Sequence, residues 1–259
     1  MGQASLGGLL PLYDRNPTRR TPWITILLIV VNIGVFVVVQ QGGADAGSQV
    51  ELTYERAAIP CELTHQRPIT LSELRRDQCS DTTADRSRPV FPDKHVDLAV
   101  VVSMFLHASW LHLLGNMLFL WIFGNNVEDR LGWLPYLGFY LIGGAVATGA
   151  QVLLDPGNTA PLIGASGAIA AVMGAYLIWY PRTPILSLIG VFPVPVPAFV
   201  LLGYWFVSQF WTGSDSGVAW MAHVGGFVFG ILIGLLVRRG SPGPGRRDPA
   251  PDPHPQLRW

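Results

Sequence analysis

The chain has 259 residues, of which 50% are hydrophobic and only 13% are charged. Soluble globular domains carry about 25% charged residues, so this composition argues against an ordinary soluble domain and indicates a membrane protein. The formal net charge is zero, which argues against a nucleic acid as the partner.

The first apolar segment follows a polar start. Residues 1–22 contain Arg15, Arg19 and Arg20, and we expect them to form a cytoplasmic N-terminal segment. Residues 23–39 are almost entirely apolar, and at about 1.5 Å per residue they approach the roughly 30 Å hydrocarbon core of a bilayer. A cleaved signal peptide is the competing interpretation, but its apolar core is shorter. We therefore predict a retained membrane span.

A polar loop at residues 42–97 follows and is expected on the extracytoplasmic side. It contains Cys61 and Cys79. In an oxidising compartment these two residues could form a disulfide. The sequence leaves open whether they do so or remain two thiols, because it does not give the distance between their Cα atoms.

Five further apolar segments complete a predicted membrane domain over residues 23–238. The second span begins near Ser109–Trp110 and ends near Gly124, after an interfacial segment at 98–106. The other segments cover residues 133–154, 166–180, 197–211 and 219–237. The remaining residues, 239–259, are rich in Pro, Gly and Arg and are predicted to be a disordered cytoplasmic tail. The fold class predicted is an all-α membrane protein, a bundle of six transmembrane helices.

The basic residues predict how this bundle is oriented. The arginines that flank the spans, all on one side of the predicted membrane, are Arg15, Arg19, Arg20, Arg130, Arg182, Arg238 and Arg239. The opposing short loops, 155–165 and 212–218, contain neither Lys nor Arg. Because basic residues favour the cytoplasmic side, we predict that both termini are cytoplasmic.

Four polar side chains are predicted to lie at one depth in the outer part of the membrane. Ser166 begins the fourth span, and His223 lies about one turn into the sixth. His112 and Asn116 lie near the outer end of the second span and share a face, because they are four residues apart. Polar groups in lipid are costly and usually have partners. The sequence alone does not show that the four side chains touch.

A serine and a histidine brought together there would form a catalytic dyad. Small residues on both spans, among them Gly164, Gly167 and Gly226, would let the fourth and sixth spans approach closely. The His223 imidazole would remove the Ser166 proton during nucleophilic attack. The amide of Asn116, an N–H of His112 and the backbone N–H of Ser166 would stabilise the oxyanion. Since no Asp or Glu lies at this depth, a Ser-His-Asp triad is not available.

These motifs resemble the rhomboid family of intramembrane serine proteases, over residues 95–238. The matching pieces, in the family's order, are His107 with His112 and Asn116, then Gly164-Ala165-Ser166-Gly167, and then Ala222-His223-Val224-Gly225-Gly226. The resemblance implies that Ser166 is the nucleophile and His223 the base. It also implies that His112, Asn116 and the backbone of Ser166 bind the oxyanion.

The resemblance also assigns supporting residues. His107 matches a histidine that precedes the second span and is more structural than catalytic. Glu128 and Arg130 match an acid–arginine pair that braces the cytoplasmic turn. The family often has a tyrosine one turn after the serine, where it stacks on the base. This chain has Ala170 there, so the resemblance does not say what holds His223.

The predicted function is a serine endopeptidase that cleaves transmembrane protein substrates near the extracytoplasmic face of a lipid bilayer. No cofactor and no metal are expected, and the oligomeric state is open. The short tails favour a prokaryotic plasma membrane.

The sequence argues against three alternative functions. A catalytically inactive relative that binds transmembrane clients would usually lack the serine or the histidine, and both are present. A transporter or channel would be expected to show internal repeats or charges in mid-span, and the sequence has neither. A metal site at His107, His112 and His223 is disfavoured because the first two are five residues apart, a poor helical spacing for two ligands.

Overall fold

The computed structural model describes residues 9–43, 45–80, 88–211 and 218–238. In chain order its elements are β1 (Leu9–Asp14), α1 (Trp23–Gly34, continued by a π-helical turn, Val35–Val39), α2 (Ala46–Arg56), α3 (Pro60–His65), α4 (Leu71–Arg76), α5 (Val96–Ser103), α6 (Trp110–Leu131), α7 (Trp133–Leu154), α8 (Ser166–Trp179), β2 (Pro184–Ile189), β3 (Phe192–Pro197), α9 (Ala198–Ser208, followed by a 3-10 turn, Gln209–Trp211) and α10 (Trp220–Arg238). Residues 1–8, the predicted tail at 239–259 and most of the predicted turn at 212–218 lie outside the described residues.

Each predicted span corresponds to an apolar helix, with bounds that agree within a few residues except at one end. The helix α6 does not stop near Gly124 but continues to Leu131, through the stretch predicted to be a polar turn. Its end is set by Gly132, whose φ of +84° breaks the helical backbone at a position where glycine is tolerated.

Length and composition support membrane crossing for two of these helices. Among the described residues, α7 and residues Trp220–Val237 of α10 are long and apolar enough to cross a bilayer. The apolar helices α8, α9 and α1 with its π-helical turn are shorter. The six-span arrangement and its orientation therefore stay predictions.

The helix α8 is the centre of the bundle and packs against α6, α7, α9 and α10. Its residues 167–176 are all buried, as expected for a helix that is apolar on every face. A side chain at Gly226 would collide with the carbonyl oxygen of Gly167, so α8 and α10 are in backbone contact there. This contact holds the start of α8 against the first turns of α10.

A three-stranded antiparallel sheet corrects the all-α prediction. The strand β2 lies between β1 and β3, and Gly190, with φ +63°, lies in the β2–β3 hairpin turn. The sheet also contains the prolines at 193, 195 and 197, which the sequence places just before the fifth predicted span. They lie in β3, an edge strand. Proline is tolerated there because the N–H groups on the outer side of an edge strand do not pair with another strand.

The polar cap consists of α2, α3 and α4 with their connections, residues 45–80 and 88–95. It contains the Cys61–Cys79 disulfide that the sequence left open. Lys94 pairs with Glu62 at 2.6 Å, and both side chains are almost completely buried. The guanidinium of Arg67 binds the carboxylate of Glu73 and holds its pKa at about 2. These links give the cap an internal framework of its own.

Candidate active site

The side chains of Ser166 and His223 are in contact. Ser166 is the first residue of α8, and His223 lies in the first turn of α10. The distance between Ser166 Oγ and His223 Nε2 is 2.8 Å, and both residues are half-buried. This separation is within the range of roughly 2.6–3.2 Å needed for proton transfer from a nucleophile to a base.

An unpaired amide group lies near Gly164, two residues before Ser166. Asn116 is 8% exposed, and its Nδ2 atom has no hydrogen-bond partner in the part of the chain that the structure describes. Buried polar atoms are nearly always paired, so an unpaired donor calls for an explanation such as a ligand. A Cβ atom placed on Gly164 would lie 3.7 Å from this Nδ2 and 2.8 Å from His112 Nε2. Asn116 and His112 thus both lie against the backbone that leads into Ser166.

The ring of His112 is oriented by a backbone contact. The N–H of Ala108 donates to His112 Nδ1 at 3.4 Å. In a neutral imidazole with an accepting Nδ1, the proton is on Nε2. Nε2 is the nitrogen that lies against Gly164, so this edge of His112 presents a donor near the start of α8. The backbone N–H of Ser166 is a further donor, since the first N–H groups of a helix have no partner within it.

The loop before Ser166 is held in place by a hydrogen bond to α5 and by a β-bridge to the polar cap. The N–H of Gly164 donates to the carbonyl of Ser103 at 2.9 Å. The Oγ of Ser103 accepts from the N–H of Ala58 at 2.6 Å, and Ala58 forms a β-bridge with Leu162. Gly164 has φ +116°, a conformation that residues with side chains rarely adopt. The polar cap and α5 thus fix the backbone that positions the serine.

His107 lies beside the site. It is fully buried before α6 begins, and its ring packs edge-on against His112 with centroids 5.1 Å apart. Burial, together with the nearby His112, lowers the pKa of His107 to about 3, so the ring is neutral at physiological pH. The contact is consistent with a bracing role.

Glu128 and Arg130, which the resemblance matches to an acid–arginine pair, make separate contacts in the structure. The carboxylate of Glu128 accepts hydrogen bonds from the backbone N–H groups of Ile24 and Thr25 at 2.9 and 2.8 Å. It therefore caps the start of α1, where helix N–H groups lack internal partners. Arg130 instead lies over the ring of Trp179 at 4.8 Å. The extension of α6 separates the two, because residues two apart on a helix point to different faces.

Two residues that touch His223 were missed by the sequence analysis. Gln209 Oε1 lies 2.7 Å from His223 Nδ1, and the Trp205 ring lies 5.8 Å from the imidazole. Both come from the fifth apolar segment, four residues apart on one helical face. A glutamine at the end of an apolar segment was the available signal, and only the packing of α9 against α10 shows what it contacts.

A family model matches the part of the chain in which these side chains lie. The model of the rhomboid domain matches residues 97–240, which is more than half of the chain. The chain belongs to the rhomboid family. The matched region contains the helices α6 to α10 and with them Ser166, His223, His112 and Asn116. The family supports a membrane protein.

Similar proteins come from several organisms. This rhomboid is 31% identical over 152 residues to Rhomboid protein 1, mitochondrial, of Saccharomyces cerevisiae, a match that covers 55% of this chain and 42% of the relative. It is 30% identical over 145 residues to Presenilin-associated rhomboid-like protein A, mitochondrial, of Danio rerio, with 52% and 36% covered. It is 29% identical over 137 residues to Rhomboid protease GlpG of Yersinia pestis, with 53% and 47% covered. The chain thus matches less than half the length of each of these three relatives.

Proposed function

We propose that this rhomboid is an intramembrane serine endopeptidase that cleaves transmembrane protein substrates near the extracytoplasmic face. The observation that carries the proposal is the 2.8 Å contact between Ser166 Oγ and His223 Nε2. The unpaired Nδ2 of Asn116, near the backbone that leads into Ser166, supports it, and so does the name of the Yersinia pestis relative, which is called a protease.

In the first step, Ser166 Oγ attacks the carbonyl carbon of the scissile peptide bond. The hydroxyl proton passes to Nε2 of His223, and the carbonyl oxygen becomes an oxyanion. The proton on Nε2 then passes to the leaving amine as the C–N bond breaks, which leaves an ester on Ser166. Water then attacks this ester and gives a proton to Nε2 of His223. That proton passes to Ser166 Oγ as its bond to the acyl carbon breaks, which releases the acid product and restores the serine.

The oxyanion would be stabilised by three donors, namely Asn116 Nδ2, the Nε2–H of His112 and the backbone N–H of Ser166. Each is fixed before substrate binds, by α6 or by the start of α8. Preorganised donors of this kind are each worth roughly 10²- to 10³-fold in rate. No cofactor and no metal take part in the proposed reaction.

The proposed topology has six spans with both termini in the cytoplasm. Its support is the one-sided distribution of arginines and the disulfide in the polar cap, because disulfides persist in oxidising compartments outside the cytoplasm. We propose the plasma membrane as the location. The mitochondrial names of two relatives count against it, whereas the Yersinia pestis relative carries no organelle in its name.

The proposed substrates are transmembrane segments that unwind near Ser166. A helix in lipid has its carbonyl groups hydrogen-bonded within itself, so a scissile carbonyl must first be freed. Segments with helix-breaking Gly or Pro beyond the cleavage point should therefore be cut faster than a poly-Leu segment. Equal rates for the two would contradict this rule.

The test is labelling of the detergent-purified full chain with a fluorophosphonate, which reacts with activated serines. We expect the wild type to be labelled, and Ser166→Ala and His223→Ala to be unlabelled. The matched control is Ser48→Ala, which removes an exposed serine in α2 of the polar cap. It should be labelled as strongly as the wild type.

The alternative is an inactive rhomboid that binds transmembrane clients. A folded wild type that stays unlabelled, under conditions in which an active rhomboid protease is labelled, would favour it. Labelling that persists in Ser166→Ala would also overturn the proposal, because it would assign the reactive serine to another position.

A further inference from the structure

His223 has a second polar partner besides Ser166. Its Nδ1 atom lies 2.7 Å from Oε1 of Gln209, in the 3-10 turn that follows α9. Gln209 is 2% exposed. A buried imidazole has only two nitrogens with which to form hydrogen bonds, so Ser166 and Gln209 together satisfy both of them.

The orientation of the Gln209 amide is fixed by its own partners. Its Nε2 donates to the backbone carbonyl of Trp205 at 2.9 Å and to Ser208 Oγ at 3.3 Å. A backbone carbonyl can only accept, so the nitrogen of the amide must face Trp205. The amide oxygen therefore faces His223, and an amide oxygen can only accept as well.

This orientation determines which nitrogen of His223 carries the proton. Because Gln209 Oε1 is an acceptor, His223 Nδ1 must be the donor in their contact. In the neutral ring the lone pair is then on Nε2, which is the atom 2.8 Å from Ser166 Oγ. Only this tautomer can take a proton from the serine.

We propose that Gln209 is a positioning residue, which holds His223 in the Nδ1–H tautomer and aims its Nε2 at Ser166. The inference rests on the proposed protease function and assigns this residue a task within it. In a Ser-His-Asp triad an aspartate does the same and also stabilises the imidazolium through its charge. Gln209 supplies the hydrogen bond without that charge.

The position of Gln209 depends on α9, the helix that it follows. The chain of contacts runs from the carbonyl of Trp205 through the Gln209 amide and the His223 ring to Ser166 Oγ. It joins three helices, since Ser166 begins α8, His223 is in α10 and Gln209 follows α9. Displacement of α9 would break these hydrogen bonds, and His223 would no longer be held in the Nδ1–H tautomer.

The test compares two substitutions at this position. Gln209→Met preserves the length and removes the acceptor, and Gln209→Glu keeps an acceptor oxygen whether or not it is ionised. We expect Gln209→Met to lower the fluorophosphonate labelling rate and kcat for a transmembrane peptide roughly 10- to 100-fold, with KM unchanged. Gln209→Glu should recover most of that loss. Gln78→Met, the same substitution at an exposed position of the polar cap, should match the wild type.

A second readout does not depend on activity. Nitrogen-15 NMR of histidine-labelled protein distinguishes the two tautomers, and His223→Ala identifies the signals of His223. We expect Nδ1–H in the wild type and in Gln209→Glu, and a mixture in Gln209→Met. Thermal unfolding checks that each variant is folded.

The outcomes separate the two proposals. An unlabelled wild type whose tautomer still changes in Gln209→Met would refute the protease function and leave the contact with Gln209 established. An unchanged tautomer in folded Gln209→Met would overturn the positioning role, whatever the activity. A kcat equal to that of the wild type in Gln209→Met would overturn it too.

Discussion

Trp205 lies against the imidazole of His223, with ring centroids 5.8 Å apart and planes inclined by 41°. The family's tyrosine is replaced by Ala170 in α8, so an aromatic neighbour for the base was not expected from the sequence. The neighbour comes instead from α9, one helical turn before Gln209. It also contacts Phe227 in α10 at 5.7 Å.

Substitution of Trp205 should slow the proposed reaction without abolishing it. Aromatic contacts of this kind are worth about 0.5–1.5 kcal/mol, which corresponds to roughly 2- to 10-fold in rate. We expect that loss in the labelling rate of Trp205→Leu and a smaller one in Trp205→Phe. The control is Trp211→Leu, because Trp211 is 78% exposed. A loss of similar size in the control would mean that the effect is not specific to the contact with His223.

Asn116→Leu should separate activity from stability. Removal of an oxyanion donor costs roughly 10²- to 10³-fold in kcat. The Nδ2 atom of Asn116 is buried without a partner among the described residues, and an unpaired buried donor costs about 1–3 kcal/mol of stability. The variant should therefore be as stable as the wild type or more so, and far less active. Labelling rates and thermal unfolding of the same sample measure both quantities.

Asn126→Leu is the matched control, on the same helix. Asn126 Nδ2 donates to Asp14 at 2.7 Å, so its loss leaves a buried carboxylate without one of its donors. We expect lower stability and unchanged labelling of the folded fraction. If Asn116→Leu behaved like Asn126→Leu, the amide of Asn116 would have a structural role.

The sequence predicted those parts of the fold that depend on local patterns. The limits of α7, α8 and α10 follow from long apolar segments and from the residues that end them. The sheet was missed because β1 and β2 are about 170 residues apart, and because β3 has proline at alternate positions, a residue type that is depleted in strands. Pairing between distant segments leaves no local signal when one partner is short and the other is rich in proline.

The sequence predicted part of the candidate site, as it predicted part of the fold. The sequence singled out Ser166, His223, His112 and Asn116 because costly polar groups in apolar segments are few, and because the predicted topology gives the four residues a common depth. Gln209 was not found, because its contact depends on how α9 packs against α10. The partners of Glu128 and Arg130 were not predicted for the same kind of reason, since the turn in which the two residues were placed is part of α6.

Gly226→Ala should destabilise the bundle and slow the reaction together. The added methyl group would collide with the backbone carbonyl of Gly167, and neither helix can shift without moving Ser166 relative to His223. Overpacking costs about 1–3 kcal/mol. Gly149→Ala is the control, because nothing lies within 4 Å of the added group. The control should be unchanged or up to about 1 kcal/mol more stable, since alanine is the better helix former. Equal stabilities of the two variants would contradict close packing of α8 and α10.

The Cys61–Cys79 disulfide should stabilise the loop that leads into Ser166. The N–H of Cys61 donates to the carbonyl of Asn158 in that loop at 3.0 Å. A disulfide between residues 18 apart is worth roughly 3 kcal/mol. We expect the Cys61→Ala, Cys79→Ala double variant to be cut faster by trypsin in the polar cap and to be labelled more slowly. A reducing agent should have the same effect on the wild type and none on the double variant. Equal trypsin sensitivity would show that the disulfide does not stabilise the cap.

Asp14 should make the stability of the N-terminal strand depend on pH. Its carboxylate accepts hydrogen bonds from Asn126 and Tyr176, both at 2.7 Å. Burial outweighs these bonds and raises the pKa of Asp14 from 3.8 to about 6. The folded protein therefore favours the protonated carboxyl, whose stabilising contribution is present below pH 4 and is lost as the pH rises through about 6.

Asp14→Asn lacks this titration and keeps a side-chain oxygen for the same donors. The unfolding free energy of the wild type, relative to that of Asp14→Asn, should fall by up to about 3 kcal/mol as the pH rises from 4 to 7. Because all other groups titrate alike in the two proteins, the difference isolates Asp14. Thermal unfolding in detergent across this range measures it. Parallel curves for the two proteins would mean that the carboxyl of Asp14 is ionised in the folded protein throughout.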